Sequence, residues 1–346
     1  MPLPARRIAT AVESWFETHQ RFLPWRATYD PYLVWVSEVM LQQTRMEVVL
    51  RHYGSFIERF PSLTALASAA ERDVLAAWSG LGYYRRARML HAAARDVADR
   101  FAGAIPRDVK TLTSIRGIGR YTAGAISSIA FEERAAIVDG NVARIVARIA
   151  GIAEPTGSPR LMRAAWSVAE ELVKRCAKPR VFNQGLMEIG ALVCTPRNPK
   201  CDACPIRKQC GAYASGRPSA FPVPKEKKST TRMVVSLYLI DDGKGRILMR
   251  RESGALMTAM FHLPHGTTSL LTGQPLRVRD ENLVGTFRHT ITTRNVEFHV
   301  HRATLQLRVA EGDEYAWIDP DDLKNVPHPS YVTKALRLAR RNSLSR

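Results

Sequence analysis

The sequence predicts a mainly α N-terminal region over residues 1–211, a linker over 212–231 and a smaller α+β domain over 232–346. Three observations lead to that division. Apolar residues recur at three- and four-residue intervals in segments 63–78, 85–101, 122–131, 142–152 and 161–175, rich in Ala, Leu and Arg, and these read as amphipathic helices. The stretch AYASGRPSAFPVPKEKKSTT at 212–231 then gathers prolines, small polar residues and lysines, the composition of an exposed linker. Beyond Arg232 the apolar period falls to two, as in strands.

Element by element, short breakers such as GLGYY at 80–84 and RGIGR at 116–120 separate the helices. In the C-terminal part MVVSLYLI at 233–240 reads as a strand, DDGKG at 241–245 as a turn and RILMR at 246–250 as its hairpin partner. VEFHVHRATLQL at 296–307 alternates as another strand, and 330–341 reads as a closing helix.

Charge bounds the partners. The chain of 346 residues carries 51 Lys and Arg against 32 Asp and Glu, a formal +19. That balance points to a polyanion, foremost a nucleic acid. The N-terminus MPLPARRIATAVESWF lacks the apolar core of a signal peptide, and there is no apolar run of membrane-spanning length. A monomeric cytoplasmic protein associated with the nucleoid is the expectation.

Four of the five cysteines, Cys194, Cys201, Cys204 and Cys210, fall in one run spaced C-x6-C-x2-C-x5-C, and Pro196, Pro199 and Pro205 would wrap that run around a centre. Thiolates favour zinc or iron–sulfur clusters. Zinc usually takes two C-x2-C pairs, and only Cys201 and Cys204 form one, so the spacing fits a [4Fe–4S] cluster better. Cys176 stands apart as a buried thiol. Further upstream, SIRGIGRYTAGAI at 114–126 sets Gly117 and Gly119 between two helices, a helix–hairpin–helix pattern whose backbone N–H groups suit a phosphate. Asp139 follows about twenty residues on, in VDG.

Hairpin, aspartate and four-cysteine run together resemble the helix–hairpin–helix DNA glycosylases, and in detail the adenine DNA glycosylase family. The stretches that carry the resemblance are LPWR at 23–26, PYLVWVSEVMLQQT at 31–44, WSGLGYYRRAR at 78–88, GIGRYTAGAI at 117–126, VDGNVARI at 138–145 and FNQGLMEIGALVC at 182–194. It implies two helical lobes, a cluster lobe from 1–25 and 134–211 and a six-helix barrel from 26–133, with duplex DNA across the cleft. Tyr121 and Asn141 match residues beside two catalytic carboxylates, Arg26 and Glu188 positions near the base pocket, and Gln43 and Tyr83 residues that wedge into the duplex. Filling the gap makes physical sense, because extruding a base costs stacking and pairing. Arg197, Lys200, Arg207 and Lys208 would contact phosphates. The implied activity is excision of adenine mispaired with 8-oxoguanine or guanine. The alternatives are an oxidised-pyrimidine glycosylase with lyase activity and a non-catalytic damage-binding protein.

The two carboxylates have contrasting settings. Glu38 has Val34, Trp35, Leu41 and Gln42 three and four residues away on its helix, mostly apolar neighbours that would raise its pKa and let it carry a proton near neutrality. Adenine leaves only once a ring nitrogen is protonated. Asp139 precedes a helix, whose N-terminal N–H groups favour its charged form opposite a cationic sugar. Lyases of the superfamily carry a lysine where this chain has Tyr121, and some relatives carry one at Ala143; a phenol cannot form a Schiff base. In 232–346 the resemblance is to a Nudix-like lesion-recognition domain without a packed glutamate set, which argues against nucleotide hydrolysis. There the family's Phe-Ser-His triplet is replaced by Ile291, Thr292 and Thr293, keeping one usable hydroxyl but losing the aromatic face and the imidazole.

Overall fold

The computed structural model describes residues 3–225, 231–254, 257–271, 275–306 and 309–343. In chain order its helices are α1 (Ala5–His19), α2 (Pro31–Leu41), α3 (Met46–Arg59), α4 (Leu63–Ser68), α5 (Glu71–Ala77), α6 (Arg85–Phe101), α7 (Val109–Thr113), α8 (Arg120–Ala125), α9 (Gly140–Ala150), α10 (Pro159–Arg175), α11 (Pro179–Leu192), α12 (Gly211–Ala214) and α13 (Ser330–Ser343). The strands are β1 (Thr231–Leu239), β2 (Ile247–Arg251), β3 (Phe261–His262), β4 (Val278–Ile291), β5 (Arg294–Leu305) and β6 (Tyr315–Ile318). A mainly α region followed by an α+β part is what the chain forms. The expected helix over 63–78 is two, because Ala70 is extended and Glu71 and Asp73 start a new first turn that suits their charge. α8 passes at Ile126 into a π-helical turn, Ile126–Ala130.

The chain divides into two compact units. One takes in Met1–Gln42, Ser62–Ala67 and Ala92–Glu226; the other takes in Gln43–Pro61, Ser68–His91 and Lys227–Arg346. The division therefore cuts through 26–133 instead of falling only at 212–231.

In the first unit α1, α9, α10 and α11 close around Ile8, Val12, Val142, Val146, Leu172, Phe182, Leu186 and Ile189. Each helix presents one apolar stripe, and a bundle is the way to bury four of them. Asp30 caps α2, Asp139 caps α9 and Ser158 caps α10, each accepting backbone N–H groups of the first turn. Residues 213–217, 219–220 and 223–225 of the expected exposed linker are exposed, but the stretch is tied down at two places. Ala212 is fully buried, and Val223 is bonded to Glu154 and Thr156. Residues 226–230 of that linker lie outside the described residues.

In the second unit β5 lies between β1, parallel to it, and β4, antiparallel to it, while β2 lies between β3 and β6. The expected hairpin of 233–240 with 246–250 is thus corrected: β1 and β2 belong to different sheets, and pairing is confined to the turn beyond β1, as the isolated bridge of Asp241 to Ile247 and the Leu248 amide on the Ile240 carbonyl. The turn does form, with Asp242 accepting from the Lys244 and Arg246 amides. Beyond it β1 buries Val235, Leu237 and Leu239 in the core that β5 completes with Val296, Phe298 and Val300.

Candidate active site and cysteine loop

Burial is the first fact about Glu38. α2 carries it inward, 5% exposed, where its Oε2 accepts a hydrogen bond from the Tyr121 hydroxyl at 2.5 Å. Tyr121 comes from the first turn of α8, and its hydroxyl also lies 3.8 Å from Met187 Sδ. Burial pushes the Glu38 carboxyl up to about 7; the Tyr121 bond opposes this, the charge of Asp139 adds to it, and Arg26 opposes it again. Tyr121 is raised by burial and by both carboxylates, so the two acids act on one phenol.

Asp139 holds the extended backbone of an N-cap. Its Oδ1 accepts from the Val142 amide at 2.7 Å and its Oδ2 from the Asn141 side-chain amide at 2.9 Å. The sequence suggested that these donors would decide its charge. They do oppose protonation, but burial outweighs them and raises the carboxyl above its ordinary range.

Asn141 is fixed in turn. Arg144 Nη2 donates to Asn141 Oδ1 at 2.8 Å and to the Gly190 carbonyl at 2.7 Å, and Arg144 Nε donates to the Cys194 carbonyl at 2.8 Å. One helical turn on, Arg148, 2% exposed, donates to Cys194 Sγ at 3.2 Å and to the Thr195, Pro196 and Phe221 carbonyls. A β-carbon at Gly190 would sit 2.5 Å from Asn141 Cβ, so α11 reaches α9 this closely because residue 190 is glycine. A continuous hydrogen-bonded path thus runs from Asp139 through Asn141 and Arg144 to Cys194. The sequence reading missed both arginines. Their signal was two Arg residues four apart in an otherwise apolar helix, VARIVARI.

Arg26 and Glu188 do meet. Arg26 Nη2 lies 3.1 Å from Glu188 Oε2, and Arg21 Nε lies 2.6 Å from Glu188 Oε1. Burial alone would raise Glu188, but hydrogen bonds and charge from Arg21 and Arg26 hold it below its ordinary value. Arg26 Nε donates to Gln184 Oε1 at 2.8 Å. Arg21 and Gln184 were not found from sequence, because nothing local ties them to LPWR.

The remaining expected site residues fall in both units. Gly117, with φ +100, and Gly119, the N-cap of α8, form the exposed hairpin of the first unit. Gln43 and Tyr83 belong to the second unit, both on left-handed backbone, with Tyr83 52% exposed. Ile291, Thr292 and Thr293 form the tip of the β4–β5 hairpin: Ile291 pairs with Arg294, Thr292 has φ +54, and Ile291 packs partly into the core.

The cysteine loop can be tested against its expected group. All four thiols are unpaired and partly buried, and they line one pocket with Arg148, Pro199, Lys200 and Tyr213. Among the described residues no group of three or more His, Cys, Asp or Glu side chains could hold a single metal ion. Four thiols lining one shared space are the donor set that an iron–sulfur cluster takes. Arg197, Lys200 and Lys208 are exposed around it, while Arg207 is paired with Asp202 at 2.9 Å. Cys176 is free and buried, as expected.

Residues 36–178 match the HhH-GPD superfamily of base excision DNA repair proteins, and 194–210 match the iron–sulfur binding domain of endonuclease III. Adenine DNA glycosylase of Rattus norvegicus is 45% identical over 222 residues, covering 60% of this chain and 43% of the rat protein. That of Buchnera aphidicola subsp. Baizongia pistaciae is 31% identical over 279 residues, 79% of each chain. Among solved structures, a thermostable thymine-DNA glycosylase aligns with TM-score 0.54 and 30% identity, over 61% of this chain and 97% of its own. The chain thus spans less than half the length of the rat relative. No helix among the described residues is long and apolar enough to cross a membrane.

Proposed function

The chain belongs to the adenine DNA glycosylase family, and on that footing we propose that it is a monofunctional DNA glycosylase of base excision repair, hydrolysing the N-glycosidic bond of adenine mispaired with 8-oxoguanine or guanine in duplex DNA. The observation that carries the reading is the buried Glu38, pushed up to about 7 and bonded to Tyr121, with Asp139 electrostatically coupled to it.

Glu38 holds a proton near neutral pH and delivers it to a ring nitrogen of adenine, turning a poor leaving group into a good one. Tyr121 fixes the orientation of that carboxyl. Asp139, held by Val142 and Asn141, faces the positive charge that grows on the sugar as the bond breaks. Water completes the hydrolysis. No amine stands at position 121 or 143, so a Schiff-base lyase step has no nucleophile there.

Cys194, Cys201, Cys204 and Cys210 hold the [4Fe–4S] cluster, which supplies a structural cross-link and no acid or base. Gln43 and Tyr83 fill the gap left by the extruded adenine, and the Ile291–Thr293 tip meets the opposite base. Exchanging Glu38 for Gln tests the assignment. Adenine release from an A:8-oxoguanine duplex should fall at least about a hundredfold under single turnover; unchanged release would end the reading.

A further inference from the structure

The loop between α5 and α6, in the second unit, is held in an unusual backbone conformation. Gly80 has φ +95, Gly82 φ +69 and Tyr83 φ +49. At Gly80 the φ of +95 is one that L side chains rarely adopt, and a β-carbon there would also press on His52 Nε2 at 2.5 Å. Tyrosine in the left-handed region is strained, and such strain persists only where surrounding contacts over-determine it. On one side those contacts come from the helical segments. Trp78 Nε1 donates to the Gly82 carbonyl at 3.2 Å, and Arg86 Nη2 donates to the Leu81 and Gly82 carbonyls at 3.1 Å each and to Thr44 Oγ1 at 2.9 Å. The Arg86 guanidinium also lies 5.6 Å from the Tyr83 ring centre.

On the other side the partner is one residue more than two hundred positions away, His328, whose carbonyl oxygen both feet of the loop reach and whose ring lies 3.3 Å from Ser79 Oγ. The buried Tyr84 hydroxyl donates to His328 O at 2.5 Å, and Ser79 Oγ donates to the same oxygen at 3.1 Å. Both feet of the loop therefore rest on one atom. That atom is itself fixed. His328 stands between Pro327 and Pro329, its Nδ1 lies 2.7 Å from the Val326 carbonyl, and its Nε2 lies 2.9 Å from Thr333 Oγ1 on α13. The flanking prolines restrict its backbone further.

We propose that the His328 carbonyl is an anchor by which the C-terminal domain presents Tyr83, preorganised, to the gap that an extruded base leaves. Ser79 and Tyr84 are positioning residues for that step and touch neither adenine nor the reacting bond. The proposal rests on the glycosylase reading above.

The test uses the whole 346-residue chain, cluster-loaded, and a duplex with 2-aminopurine beside the target adenine opposite 8-oxoguanine. Insertion of a side chain unstacks the probe, and its fluorescence rises. In the S79A/Y84F variant the buried carbonyl loses both donors, and brightening should slow about tenfold, with Y84F alone in between because Ser79 remains. Adenine release from that duplex should slow alongside. Release of adenine facing an abasic analogue, where no partner base has to be parted from it, should match the wild type.

Equal brightening by wild type and double variant overturns the anchor. So does an equal loss of release on both substrates, which would mean general damage to the unit. If the wild type brightens the probe but releases no adenine, the glycosylase reading fails, while the anchor is still decided by the brightening rates.

Discussion

At Glu38 burial and hydrogen bonding pull in opposite directions, and burial wins, pushing the carboxyl up to about 7. The consequence for activity is a basic limb. Release of adenine should decline as pH rises through about 7, because the proton to be donated is lost. Asp139 must stay charged, and burial raises it too, so the acid limb should lie above the ordinary aspartate range. A bell-shaped single-turnover profile is expected, and a profile flat from pH 6 to 9 would contradict the assignment. Stability carries the same sign. The folded pKa of about 7 exceeds the ordinary 4.5, so the folded state binds the proton more strongly between those values. This contribution is complete below 4.5 and disappears as pH rises through about 7. Gln at 38 never ionises. E38Q should therefore unfold at higher denaturant than wild type at pH 8, by up to about 3 kcal/mol, with the gap closing towards pH 5.

Among the elements, α9 links the acid end of the site to the cysteine loop, since its cap is Asp139 and its arginines are held at Cys194. Replacing Arg144 with Met keeps its volume but leaves the Gly190 and Cys194 carbonyls and Asn141 Oδ1 without this donor. The expected costs are about 1–3 kcal/mol in chemical denaturation and a slower single-turnover rate, with DNA affinity held. A rate equal to wild type would show that Asn141 orients Asp139 without help. Legibility differs sharply among these elements. The four cysteines were readable from residue type and spacing, whereas Glu38 and Asp139 stood out through the family resemblance, their helix settings only agreeing with it. Arg21, Gln184, Arg144 and Arg148 were not readable, because their partners lie on segments brought together only by folding. β4 escaped for another reason. Over VRDENLVGTFRHTI the charges crowd in and irregularities at 279–282 and 283–285 break the period of two, so no alternation survives to be seen.

Across the whole molecule the strongest sequence signal was the charge of +19, which named a polyanion without saying where it binds. Around the cysteine loop, where the resemblance implies phosphate contacts, the four cations are not equally available. Arg197, Lys200 and Lys208 are exposed there, while Arg207 spends its charge on Asp202 and lies over the Tyr213 ring at 5.6 Å. Sequence alone ranked the four equally, because a pairing five residues apart across a turn leaves no periodic trace. The duplex-binding reading then makes a graded prediction. Removing one phosphate-neutralising cation should flatten the dependence of log affinity on log salt by about 0.9. Changing both Lys200 and Lys208 to Ala should lower that slope by nearly 2, by the same amount for mispaired and fully paired duplexes. Arg207→Ala should change it less, since Arg207 is already paired with Asp202. Filter binding from 50 to 200 mM salt reads all three. A slope untouched by the double lysine change would move the phosphate-binding surface away from the cysteine loop. A change confined to mispaired duplexes would make those lysines readers of the lesion instead of the backbone.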